Sequence, residues 1–91
     1  MAILAMFEVT GADASKYDEV IRRLTAMGLR VPDGQMYHVC YGDRRNLQVV
    51  NVFESREKLD AFGARLMPIL QDMGISARPG LFEIYNIIEG R

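Results

Sequence analysis

The chain has no tryptophan, one cysteine, one histidine and three prolines in 91 residues. A single cysteine excludes an internal disulfide and fits a reducing cytoplasm. One histidine and one cysteine, with no ligand spacing around them, fall short of the donor set that a zinc site needs. No phosphate-cradling glycine loop, no G-x-S-x-G elbow and no H-E-x-x-H helix occurs. Charge of one sign is not in excess either. Eleven basic residues face twelve acidic ones, which argues against nucleic acid or an anionic membrane as a partner. The longest early apolar run, Ala2 to Phe7, is far too short to span a bilayer, and no basic segment precedes it, so neither a membrane span nor a signal peptide is expected. The final Ile88-Glu89-Gly90-Arg91 spells a protease recognition sequence.

A hydrophobic share of 49% is enough for a globular domain. The whole chain, 1–91, reads as one domain with a small core. Alternating strands and helical stripes follow in a definite order. Ile3 to Thr10 is a strand with Ile3, Ala5, Phe7 and Val9 on one face and Leu4, Met6 and Glu8 on the other. Asp13 or Ser15 caps a helix whose buried stripe is Tyr17, Val20, Ile21, Leu24 and Met27, with Asp18–Arg22 and Glu19–Arg23 pairs on the wet side. Gly28 stops it.

Met36 to Tyr41 and Leu47 to Phe53 form a hairpin around Asp43–Asn46. That turn sets His38 opposite Asn51, Cys40 opposite Val49 and Met36 opposite Phe53. Ser55 caps a second helix with the stripe Leu59, Phe62, Leu66, Ile69, Leu70 and Met73. Gly63 inside it suggests close packing, and Pro68 a kink. Leu81 to Ile88 is the last strand.

The fold class is therefore α+β, in the ferredoxin-like order β-α-β-β-α-β: a four-stranded antiparallel sheet with both helices on one face. Tyr37, Val39, Tyr41, Val50 and Val52 are expected under the helices. The open face is expected to carry Leu4, Met6, Met36, His38, Cys40, Leu47, Val49, Asn51 and Phe53. An apolar sheet face of roughly 400 Å² usually marks an interface or a groove. Burying it contributes on the order of 10 kcal/mol per subunit before association costs, so a homodimer with facing sheets is expected.

His38 and Asn51, side by side on an apolar face, are the main chemical clue. An imidazole can take or give a proton, and a neighbouring amide can fix its tautomer or donate to an oxyanion. In the alternative reading the pair only pins the strand register. Met6, Met36, Cys40, Val49 and Phe53 are the expected walls of a pocket for a small hydrophobic ligand. Glu8, Tyr85 and Asn86 are candidates for the lumen or its rim, Tyr85 as an orienting group and Asn86 as a substrate contact. Cys40, among mid-strand apolar neighbours, lacks the cationic setting of a nucleophile.

Lys16-Tyr17-Asp18-Glu19-Val20, Tyr37-His38-Val39, Val49-Val50-Asn51-Val52-Phe53-Glu54-Ser55, Arg65-Leu66-Met67-Pro68-Ile69-Leu70 and Met73-Gly74-Ile75 resemble segments of small bacterial proteins in the dimeric α+β barrel superfamily, which includes antibiotic-biosynthesis-monooxygenase-like proteins. The resemblance covers nearly the whole chain. It implies a homodimeric barrel and a cofactor-independent monooxygenase, isomerase or cyclase acting on an aromatic or polyketide-like compound, with no metal or nucleotide. His38 would be the acid/base and Asn51 or Tyr85 the orienting group. A ligand-binding or structural homodimer is the alternative. Where relatives carry Trp or Asp in the third strand, this chain has Phe53 and Asn51. A haem reading would rest on the fold alone, with His38 as an axial ligand.

Overall fold

The computed structural model describes residues 1–90. The element order is β1 (Ile3–Thr10), α1 (Ala14–Ala26), β2 (Gln35–Asp43), β3 (Asn46–Phe53), α2 (Arg56–Asp72) and β4 (Ser76–Glu83). The strands form one antiparallel sheet in the order β2-β3-β1-β4. The ferredoxin-like α+β arrangement is thus present. Both helix starts follow from their caps. The Asp13 carboxylate accepts from the Lys16 amide, and the Ser55 hydroxyl accepts from the Lys58 amide.

Long-range pairing decides which face of each strand meets the helices. Ala5 lies opposite Asn51, Ile3 opposite Phe53 and Phe7 opposite Val49. Ala5 and Phe53 are completely buried and pack with Val9, Val20, Leu24, Leu59, Phe62, Ile69 and Leu70. Phe53 and Phe62 stack with ring centroids 5.7 Å apart.

The face of the hairpin is therefore the reverse of the sequence expectation. His38, Val49, Asn51 and Phe53 belong to the helix side, with Ala5 and Phe7. Tyr37, Val39 and Tyr41 are 40%, 47% and 44% exposed on the open face, together with Met6 and Phe82. Both faces of the hairpin are apolar, so alternation could not orient it. The β1–β3 register does.

Two further placements differ. An irregularity between Gln35 and Tyr37 sets Gln35, not Met36, opposite Phe53. The last strand runs from Ser76 to Glu83, five residues earlier than its Pro79-Gly80 suggests. β4 is an edge strand, where a proline removes no ladder bond that the sheet depends on.

Backbone contacts fix α1 over the hairpin. The Ala14 amide donates to the Arg44 carbonyl, and the Leu47 amide to the Ala12 carbonyl, both at 2.8 Å. The Gln48 side chain bridges to the backbone of Val9, accepting from its amide and donating to its carbonyl, where β1 parts from β3. Arg23 joins α1 to α2 through Asp72 at 2.7 Å. The Glu19–Arg23 pair forms at 2.9 Å, whereas Arg22 turns to Glu19 rather than Asp18. No helix among the described residues is long and apolar enough to cross a membrane.

Candidate functional site

A cavity of about 130 Å³ lies between the helices and the sheet. Its deep walls are apolar, with Val9, Ala12, Leu47, Leu70, Ile75 and Ala77 among them. Its polar lining is Tyr17, Arg30, Gln35, His38 and Asn51. Gly63 also lines it, and a Cβ built there would meet nothing within 4 Å. The close packing expected at Gly63 is therefore not found; the missing side chain opens space instead.

Three polar side chains form a hydrogen-bonded chain. Tyr17 Oη lies 2.7 Å from His38 Nε2, and His38 Nδ1 lies 2.5 Å from Asn51 Oδ1. A carbonyl oxygen only accepts, so His38 Nδ1 carries the proton in this bond. Nε2 of the neutral ring is then the acceptor, and the Tyr17 hydroxyl donates to it. The two rings stack at 6.0 Å with an interplanar angle of 13°.

Burial differs along this chain. Asn51 is 3% exposed and is the one buried polar residue among those described. Opposite it stands Ala5, whose small side chain leaves room for the amide. Asn51 Nδ2 has no protein partner among the described residues, and the residue lines the cavity. Tyr17 is half-buried, and His38 lies exposed on the edge strand β2. The exposed imidazole thus links a buried amide to a half-buried phenol.

Burial raises the Tyr17 phenol above its usual range, helped by Cys40 and Asp18 nearby. The phenol thus stays protonated near neutral pH and can relay a proton without first losing its own. Burial also raises the Cys40 thiol, which keeps it a neutral neighbour of Tyr17.

The expected site residues divide as follows. His38, Asn51 and Val49 line the cavity, and Cys40 sits beside Tyr17 just outside its lining. Phe53 is core. Met36 is 47% exposed at the β2 irregularity, and Met6 is on the open face. Glu8 pairs with Arg78 at 3.7 Å on the surface. Tyr85 and Asn86 lie beyond β4, exposed and away from the cavity, because the strand that would have carried them ends at Glu83. Sequence reasoning placed Tyr17 only in the buried stripe of α1. Its hydroxyl is the available signal, since a phenol on a buried face has to find a partner. No group of three or more His, Cys, Asp or Glu side chains is placed to hold a metal ion among the described residues.

No protein-family model matches the sequence, and no curated protein does. Solved structures do match. SnoaB from Streptomyces nogalater, a cofactor-independent oxygenase, superposes with a TM-score of 0.62 at 19% identity, over 98% of this chain and 96% of that one. A candidate antibiotic biosynthesis monooxygenase from Deinococcus radiodurans gives 0.64 at 12% identity, over 100% and 99%. A similar candidate from Chloroflexus aurantiacus gives 0.62 at 14%, over 96% and 97%. At these identities the likeness is one of fold, and the chain has the protomer fold of the antibiotic-biosynthesis-monooxygenase-like proteins.

Proposed function

We propose that this chain is a small-molecule enzyme that moves a proton on a hydrophobic enolic or phenolic compound held in the cavity. The observation that carries the reading is the Tyr17–His38–Asn51 chain at the mouth of an otherwise apolar space. A substrate hydroxyl donates to Tyr17 Oη while Tyr17 passes its own proton to His38 Nε2. Asn51 Oδ1 keeps the Nδ1–H in place and favours the imidazolium that forms. The product of this step is an enolate or phenolate in an apolar surrounding. Such an anion is the common starting point of oxygenation, isomerisation and cyclisation, and the oxygenase among the fold relatives favours dioxygen as its reaction partner.

The test is deuterium exchange into a panel of enolisable cyclic diketones, followed by proton NMR. His38→Gln should lower the exchange rate about 100-fold or more, within the usual range for a general base, and Tyr17→Phe should lower it too, while both variants melt near the wild type. Unchanged exchange in a folded His38→Gln protein would sink the proposal.

A second reading is a ligand-binding homodimer without catalysis. The small cavity favours a structural role for the His38–Asn51 pair, because about 130 Å³ is well below the ~300 Å³ of an ordinary ligand pocket. In that case His38→Ala lowers thermal stability and leaves affinity for a bound ring compound intact. Under both readings the open sheet face, with exposed Met6, Tyr37, Val39, Tyr41 and Phe82, packs on a second copy. Sedimentation should find a dimer, and Val39→Glu a monomer; a monomeric wild type would refute the assembly.

A further inference from the structure

The position of charge around the cavity is asymmetric. Among its lining residues Arg30 is the one charged side chain, and no Asp or Glu lines it. Arg30 lies in the segment between α1 and β2 and is exposed. It forms no ion pair among the described residues, unlike Arg22, Arg23, Arg56 and Arg78. Its charge is close enough to Tyr17 to be felt at the phenol. Asp18, the carboxylate also felt there, does not line the cavity. An unpaired guanidinium beside an apolar hollow is a carboxylate-binding arrangement, since its planar fork matches two carboxylate oxygens.

Size limits the ligand further. A dry apolar cavity of about 150 Å³ holds one benzene ring, and this one is about 130 Å³ with an open polar mouth. The polar groups Tyr17, Arg30 and His38 stand together, and Asn51 is the one buried polar residue in the lining. A ligand with a hydroxyl at one end and a carboxylate at the other would have to bury one of them in a lining where Asn51 is the one buried polar group, whereas adjacent groups meet Tyr17 and Arg30 together.

We propose that the site takes a single-ring acid whose hydroxyl and carboxylate are on adjacent ring atoms: the ring edge enters the apolar space, the hydroxyl meets Tyr17, and the carboxylate meets Arg30. This rests on the proton-transfer reading of the same cavity and adds the substrate class and the residue that selects it. Arg30 is a specificity residue here. It takes no part in the proton relay.

The probes are salicylate, its neutral analogue salicylamide, and para-hydroxybenzoate, titrated by calorimetry at low ionic strength into wild type, Arg30→Gln and Gly63→Leu. Salicylate should bind about tenfold more tightly than salicylamide, the scale of one charge-assisted contact at a partly exposed site. That gap should close in Arg30→Gln, and para-hydroxybenzoate should bind more weakly than salicylate. Gly63→Leu fills the hollow and should abolish binding of all three. Equal binding of salicylate and salicylamide, or an Arg30→Gln protein with unchanged salicylate affinity, overturns the carboxylate assignment. If Gly63→Leu still abolishes binding in that case, the cavity reading stands without it. Equal binding of the para isomer overturns the adjacent arrangement. Binding that survives Gly63→Leu, or no binding of any ring, overturns this inference and the cavity reading together.

Discussion

Replacing Gly63 with alanine should stabilise the protein. Glycine inside a helix is less favourable than alanine by about 0.8–1.0 kcal/mol, chiefly because the unfolded glycine has more conformations to lose. That gain is realised only where the new methyl group meets no obstacle. At Gly63 the built Cβ has nothing within 4 Å, and the residue is in the helical region rather than at positive φ. The full gain of about 0.8–1.0 kcal/mol is therefore expected, and a domain of this length should melt about 4–8 °C higher per kcal/mol. Thermal denaturation followed by circular dichroism measures it, and urea unfolding should move its midpoint at constant slope. Gly34 is the contrast. It has φ +84°, and a Cβ there would come within 2.7 Å of the Lys58 Cβ, so Gly34→Ala should destabilise. If Gly63→Ala destabilises as well, α2 lies closer to the sheet than described and the cavity is not there. The measurement thus tests the site through stability alone, with no substrate needed.

Glu19 accepts from Arg22 and Arg23, which hold its carboxylate below the ordinary 4.5 at about 2. A depressed folded-state value means that the stability it adds is complete above about 4.5 and is lost as pH falls toward about 2. The difference in melting temperature between wild type and Glu19→Gln should therefore be full at neutral pH, close across that window, and shrink in high salt; a difference independent of pH would refute the assignment. Asn51→Leu keeps the volume and removes the acceptor for His38 Nδ1, so nitrogen chemical shifts of His38 should change from the Nδ1-protonated tautomer to a mixture, with exchange activity falling in step. An unaltered tautomer would show that the surroundings, not Asn51, set it.

The element order was legible because each element carries its own punctuation: Asp13 and Ser55 at helix starts, Gly28 and Gly74 at their ends, and period-two alternation between. The pairing of His38 with Asn51 was legible too, since the short turn at Asp43–Asn46 sets it locally. Which way that pair faces was not. Orientation depends on Ala5 lying opposite Asn51, a contact between strands separated by a helix and a hairpin, and an apolar residue at every second position on both faces hides it. Tyr17 was missed as a functional group for a similar reason. Its partner is 21 residues away on another element, and a tyrosine in a helical stripe satisfies the core pattern equally well as a ring or as a hydroxyl. Pro79 and Gly80 read locally as a loop, and their place in a strand follows from that strand being at the edge.

The turned hairpin changes what the His–Asn pair can be for. On the open face it would have been one polar spot in an interface between copies, where fixing register is a sufficient role. On the helix face it stands at an edge strand beside a hollow, and register is already held by the backbone ladder from Tyr37↔Val52 to Asp43↔Asn46. A buried amide is a poor choice for packing alone. One hydrogen bond returns only about 0.5–1.5 kcal/mol net. Asn51 has one protein bond, to a histidine that lies at the surface, and an Nδ2 that the protein does not use. Leucine at that position would fill the space beside Ala5 with no amide to satisfy. The arrangement makes physical sense if the amide has a second duty toward whatever occupies the cavity, holding the imidazole tautomer on one side and offering a donor on the other. Asn51→Leu should then be neutral or stabilising in the empty protein while weakening ring binding and proton exchange, and a variant that loses stability but keeps both would return the pair to a purely structural role.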